Sequence, residues 1–112
     1  MRFQGWIDRL NRTRNIRRAA REAQDKLDAM YAVADPPDGS ALDQCGLRDG
    51  LSIIEEFLEY GEPGLALEHL VHVTCEPPLR LSAASLKGMA SAARSMGMLQ
   101  WMDERLSEAG LN

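Results

Sequence analysis

Apolar residues recur along this chain at helical spacing. From about Trp6 to Val33 they stand at Trp6, Ile7, Leu10, Ile16, Ala20, Ala23, Leu27, Met30 and Tyr31. The steps are mostly three, four or their sums, which traces one apolar stripe on a helix. Neither Gly nor Pro interrupts that stretch, and Arg9, Arg12, Arg14, Arg17, Arg18 and Arg21 occupy its other faces. Glu22 precedes Lys26 by one helical turn, the favourable order for an ion pair along a helix. Asp35-Pro36-Pro37-Asp38-Gly39 then stops the helix, because paired prolines exclude α geometry before them and Asp-Gly favours a turn.

A second helix is predicted from about Ala41 to Tyr60 with Ser40 as its cap, or from near Leu47 if Gly46 and Gly50 break its first half. Leu47, Leu51, Ile54 and Leu58 share a narrow sector with Phe57 beside them, and Asp49, Ser52, Glu56 and Glu59 lie opposite. Gly61-Glu62-Pro63-Gly64 reads as a tight turn, Gly61 at the left-handed position and Pro63 opening a third helix over about 63–75. There Ala66, Leu67, Leu70, Val73 and Thr74 form the apolar side, Glu68, His69, His72 and Glu76 the other, and Pro77-Pro78 the stop. A fourth helix begins near Ser82 and ends at Gly97, with Leu86, Met89, Ala90, Ala93 and Met96 in phase. A short last helix covers about Leu99 to Ala109, with Leu99, Trp101, Met102 and Leu106 able to pack. No stretch alternates as a strand does. The fold class is all-α: a compact bundle of four to five helices, one domain over 1–112, with a long basic amphipathic helix over 1–34 and a helical body over 40–112.

Composition sharpens this. Aromatics are only 5% of the chain, so a core drawn from the 45% apolar residues is mainly Leu, Ala, Met, Ile and Val. No run approaches the roughly 20 apolar residues of a membrane span. Nor does an apolar stretch follow the first basic residues as a secretory signal requires. The expectation is a cytoplasmic protein with Cys45 and Cys75 reduced.

The net charge of −4 hides a division. Residues 1–26 carry eight basic and three acidic side chains; residues 27–112 carry five basic and fourteen acidic. Between Asp28 and Glu76 eleven carboxylates face one arginine, Arg48. Such asymmetry points to electrostatic recognition, or to the two segments pairing with each other.

Candidate chemistry is sparse. His69, His72 and Cys75 share one broad helical face and could hold zinc only with a fourth ligand such as Cys45 or Glu76; solvent-facing histidines and a Cys75 that packs as a small hydrophobe explain them more simply. There is no nucleophile elbow and no Gly-rich phosphate loop. Glu55 and Glu56 are adjacent, hence about 100° apart on a helix, and do not converge on a substrate. The expectation is a protein that is not an enzyme and uses no cofactor or metal. The arginines of the first helix could grip phosphates, but no aromatic residues interleave with them for base stacking.

The stretch Ile53-Ile54-Glu55-Glu56-Phe57-Leu58-Glu59-Tyr60-Gly61-Glu62-Pro63-Gly64-Leu65-Ala66-Leu67-Glu68-His69-Leu70 resembles the small helical immunity proteins of the MafI type, which accompany bacterial polymorphic toxins. Leu81-Ser82 and Met96-Gly97-Met98 resemble later elements of that pattern, and the likeness covers about residues 47–106, leaving the first helix outside. The resemblance implies inhibition by stoichiometric binding to a cognate toxin domain, often a nuclease or nucleic-acid deaminase. Outward helical phase and charge suggest Asp49, Glu56, Glu59, Glu62 and Glu68 as contacts to a basic partner, with His72 at the edge. No membrane and no direct nucleic-acid contact are expected. Two other readings stay open: a non-catalytic nucleic-acid-associated or regulatory adaptor that uses the first-helix arginines, and a homo-oligomer in which one copy's basic helix docks on another's acidic body.

Overall fold

The computed structural model describes residues 2–33 and 35–111, and every regular element among them is helical. The order is α1 (Arg2–Val33), a 3₁₀ turn (Ala41–Asp43), α2 (Gly50–Glu59), α3 (Pro63–Cys75), α4 (Ala83–Ser95) and α5 (Leu99–Glu108). Helix α1 packs most extensively on α4, and also on α2 and α3; α2 and α3 pair, and α5 lies on α3 and α4. None of these helices is long and apolar enough to cross a membrane.

One core unites all five helices. Ile16, Ala19, Ala20, Ala23 and Leu27 of α1 are buried with Ile54 of α2, six positions of α3, Met89, Ala92 and Ala93 of α4, and Met102 and Leu106 of α5. Each fully buried Leu, Ile or Met side chain contributes about 1.5–3 kcal/mol through the apolar surface it removes from water. Helix α1 is thus a structural member of the bundle and not an appendage. It is also as long as the molecule, whose largest extent is 50 Å. Its ends therefore overhang, and the predicted apolar stripe fails there: Trp6, Leu10 and Met30 are 52%, 46% and 38% exposed.

The second helix is shorter than the Ala41–Tyr60 expectation. The 3₁₀ segment already ends at Gln44, which is extended, and Gly46 at φ 84° delays regular helix to Gly50. A side chain at Gly46 would place Cβ 2.8 Å from Cε1 of His69, whose Nε2–H donates to the Gly46 carbonyl at 3.0 Å. Gly46→Ala therefore combines left-handed strain with a clash. It is expected to cost about 1–2 kcal/mol or more, read as a lowered urea midpoint. An unchanged midpoint would show that this loop does not brace α3.

The remaining ends follow local rules. Gly61 closes α2 with φ 71°, the Glu62 N–H donating back to the Phe57 carbonyl at 2.8 Å and the Gly61 N–H to Leu58. Pro63 opens α3 and Ser82 caps α4, its Oγ accepting from the Ser85 N–H. After α3, the Leu79 N–H donates to the Thr74 carbonyl, and Leu79 and Leu81 are buried under the bundle.

Candidate partner-binding surface

Helices α1 and α2 run antiparallel side by side. Gln24 of α1 fixes the level by donating to the Arg48 carbonyl and accepting from the Leu51 N–H at 2.9 Å. Further along, the Arg17 guanidinium meets the Glu55 carboxylate at 2.9 Å. Beyond the other end, the Tyr31 hydroxyl donates to the Leu42 carbonyl at 2.6 Å. The Arg48 guanidinium lies over the Tyr31 ring, 4.2 Å from its centroid, and pairs with Asp35. Burial pushes the Tyr31 phenol up, with Asp43 adding to the rise and Arg48 opposing it.

This arrangement leaves the outer face of α2 acidic. Ser52, Glu56 and Glu59 fall within about 60° at 100° per residue, Asp49 precedes them as the N-cap, and all four are exposed. Ser52, Glu55, Glu56, Glu59 and Tyr60 line one shallow groove, with Tyr60 75% exposed at its end. Glu62 is exposed in the turn that follows. Among the described residues no ion pair reaches Asp49, Glu56, Glu59, Glu62 or Glu68. Arg17 takes only Glu55, and Arg48, the single cation of the middle segment, is engaged by Tyr31 and Asp35. The adjacent pair Glu55 and Glu56 diverges as helical phase requires, one to α1 and one to solvent.

The six sequence-predicted contacts do not form one cluster. Asp49, Glu56 and Glu59 share the α2 stripe, and Glu62 continues it. Glu68 lies about 100° round α3 from His69, the residue that braces the loop before α2. It therefore stands to the side of the residue that meets the α2 loop and not on the α2 stripe. His72 is half-buried beside Glu76, Nδ1 to Oε1 3.7 Å, in a second depression with Val71, Cys75, Arg105 and Glu108. Helical phase places Glu68 outward correctly; which neighbouring helix lies on which side of α3 is a tertiary fact. Tyr60 is not among the expected contacts, although it stands one turn after Glu56 on the same groove.

Comparison with known proteins finds no matching family model and no significant match among curated proteins or solved structures.

Of the other chemistry-bearing groups, Cys45 is exposed, and Cys75, His69 and His72 are partly buried. Both cysteines are free thiols. Burial pushes the Cys75 thiol up, and nearby Glu76 adds to the shift; its Sγ lies 3.7 Å from the Arg105 carbonyl. A thiol held protonated in this way is a poor nucleophile at neutral pH. His69 and His72 meet at a tilt with ring centroids 5.6 Å apart. Among the described residues no three His, Cys, Asp or Glu side chains converge as a metal site would need.

A basic groove adjoins the acidic one. Leu10, Thr13, Arg14, Arg17, Arg18 and Arg21 line it along α1. Arg12, on another face, donates to the Ser95 hydroxyl at 2.8 Å. Arg14, Arg18 and Arg21 are exposed and make no ion pair with the described residues.

Proposed function

We propose that this protein is a toxin-neutralising immunity protein of the bacterial cytoplasm, acting by stoichiometric binding and catalysing nothing. Its target on this reading is the basic, nucleic-acid-binding cleft of a secreted toxin domain, a nuclease or nucleic-acid deaminase. The observation that carries the reading is the free carboxylate stripe of α2. Asp49, Glu56 and Glu59 face solvent, and no cation among the described residues is drawn onto them. Unpaired carboxylates repel one another and so destabilise the fold somewhat. A positively charged partner removes that repulsion, and the complementary potentials speed encounter and reject partners of the wrong sign. Carboxylates at helical spacing then stand where a substrate's phosphates would lie.

The test requires a large secreted protein encoded beside this chain and uses its C-terminal domain. Wild-type protein is expected to protect cells from that domain and to bind it one to one. The pair Glu56→Lys with Glu59→Lys should weaken binding at low salt by about tenfold or more, with the difference shrinking as salt screens the charges. Glu68→Lys, off the α2 stripe, separates the two groups of predicted contacts. Full protection by the α2 double reversal at low salt sinks the assignment of the stripe.

One observation favours a second reading, a nucleic-acid-associated adaptor. Arg14, Arg18 and Arg21 line a groove with no ion-pair partner among the described residues. Removing α1 cannot test it, because Ile16, Ala19, Ala20, Ala23 and Leu27 belong to the core. Replacing the three arginines by alanine keeps the core. Salt-dependent retention of labelled RNA or DNA that disappears in the triple variant would support this reading over the first.

A further inference from the structure

We infer that two copies of this chain pair face to face through the neighbouring basic and acidic grooves, α1 of each copy lying over α2 of the other. The grooves share a seam: Arg17 is the rim of the basic one, Glu55 the rim of the acidic one, and these two side chains touch. On one side of that seam stand Arg14, Arg18 and Arg21; on the other stand Asp49, Glu56 and Glu59. A two-fold axis along the seam lays each stripe on its opposite in the second copy. Such an isologous contact is closed, so pairing stops at the dimer.

The register follows from the contacts already described. The antiparallel levels set by Gln24 beside Leu51, Arg17 beside Glu55 and Tyr31 beside Leu42 put Arg14 level with Glu59, Arg18 with Glu56, and Arg21 with Ser52. Rotation about an axis parallel to the helices preserves level, so these become contacts between copies, each made twice. Leu10, 46% exposed, and Tyr60, 75% exposed, lie near one level at the same end of the two grooves. Across the dimer they meet, which gives an apolar contact where the charges run out. An isolated exposed ion pair contributes little. Here the pairs come as a doubled network, flanked by a Leu–Tyr contact that excludes water.

This inference does not rest on the immunity reading, and its test needs no toxin. The two do interact: Glu56 and Glu59 cannot serve a second copy and a toxin at once, so dimer and complex would compete.

Sedimentation velocity on the full chain, at low and at high salt over a concentration series, reads the outcome. A dimer is expected at low salt and a monomer at high salt. Arg18→Glu and Glu56→Arg should each raise the dimer dissociation constant by roughly tenfold or more, because like charges then oppose each other at both symmetric positions. The double variant, with the charges exchanged, should restore the dimer. Both changes fall on exposed side chains, and helical circular dichroism verifies that each variant folds. A monomer at low salt across the series overturns the proposal. So does a dimer indifferent to Arg18→Glu, or a folded exchange variant that stays monomeric.

Discussion

Replacing Gly88 by Leu is expected to cost about 3 kcal/mol or more and to bring the protein close to unfolding at physiological temperature. Gly88 lies in the middle of α4 where that helix meets α1, the largest contact in the molecule. A Cβ at this position would stand 3.2 Å from Oδ1 of Asn15 and 3.3 Å from its Cβ and Cγ. Small buried residues surround the contact: Ala19, Ala20 and Ala23 on α1, Ser85, Ala92 and Ala93 on α4. They let the two helix backbones approach closely, and a branched side chain forces them apart along their length. Gly88→Ala makes the matching control. Its methyl group requires Asn15 to yield by a few tenths of an ångström, while alanine gains up to about 1 kcal/mol of helix propensity over glycine, so the net change should be small. Urea titration followed by circular dichroism measures both. If the Leu variant keeps the wild-type midpoint, the close α1–α4 contact is not what holds α1 on the body.

Glu22→Gln should destabilise the protein by about 1–2 kcal/mol at neutral pH, solvent screening at this partly exposed site holding the effect down, and should flatten its acid denaturation. The Glu22 carboxylate reaches from α1 to the start of α4. It accepts the Ser82 N–H at 2.6 Å, the Ser82 hydroxyl at 2.7 Å and the Ser85 hydroxyl at 2.6 Å. A helix N-terminus favours negative charge, so the ionised form is held by donors and dipole together. Burial alone would raise the Glu22 pKa; the hydrogen bonds from Ser85 and Ser82 and the charge of Lys26 outweigh it, and the net shift is downward. A carboxylate whose folded pKa is depressed stabilises the fold above its unfolded pKa, and that stability drains away as pH falls through the folded value. Wild type should therefore lose stability on the acid side of the ordinary glutamate range. Glu22→Gln should lose less there, having already lost the interaction. Parallel pH dependences for the two proteins would mean that the carboxylate's charge contributes nothing to holding α4.

Both predictions fall on the α1–α4 contact, and both concern residues whose importance the chain's periodicity conceals. Gly88 carries no side chain for an apolar period to register, and Glu22 reads as half of a surface pair with Lys26. Each has its partner far away in sequence: Ser82, sixty positions on, for Glu22, and Asn15 of α1 for Gly88. Periodicity locates one buried face of α4, through Leu86, Met89, Ala93 and Met96. The second buried face, Ser85, Gly88 and Ala92, is made of small or polar residues that carry no hydrophobic signal, so only the docking of α1 reveals it. Leu79 and Leu81 escape for a related reason: they sit in an irregular segment where no period exists to phase them.

The candidate surface divides in the same way. That Glu56 and Glu59 face outward, with Asp49 at the N-cap just before them, is a consequence of 3.6 residues per turn in α2 and of nothing beyond it. That they are left without cations depended on where the arginines of α1 would go.

What the sequence alone determined is local: five helices, their stops at Pro-Pro and Gly, and the division of α2 and α3 into an apolar and a polar face. These follow from backbone sterics and helical phase, which act over a few residues. What only the tertiary structure decided is long-range: the overhang of Trp6 and Leu10, the separation of Glu68 and His72 from the α2 stripe, and the single Arg17–Glu55 bridge that leaves a basic and an acidic groove side by side. Those depend on the level and rotation at which one helix packs against another, and side-chain size at the buried contacts sets both.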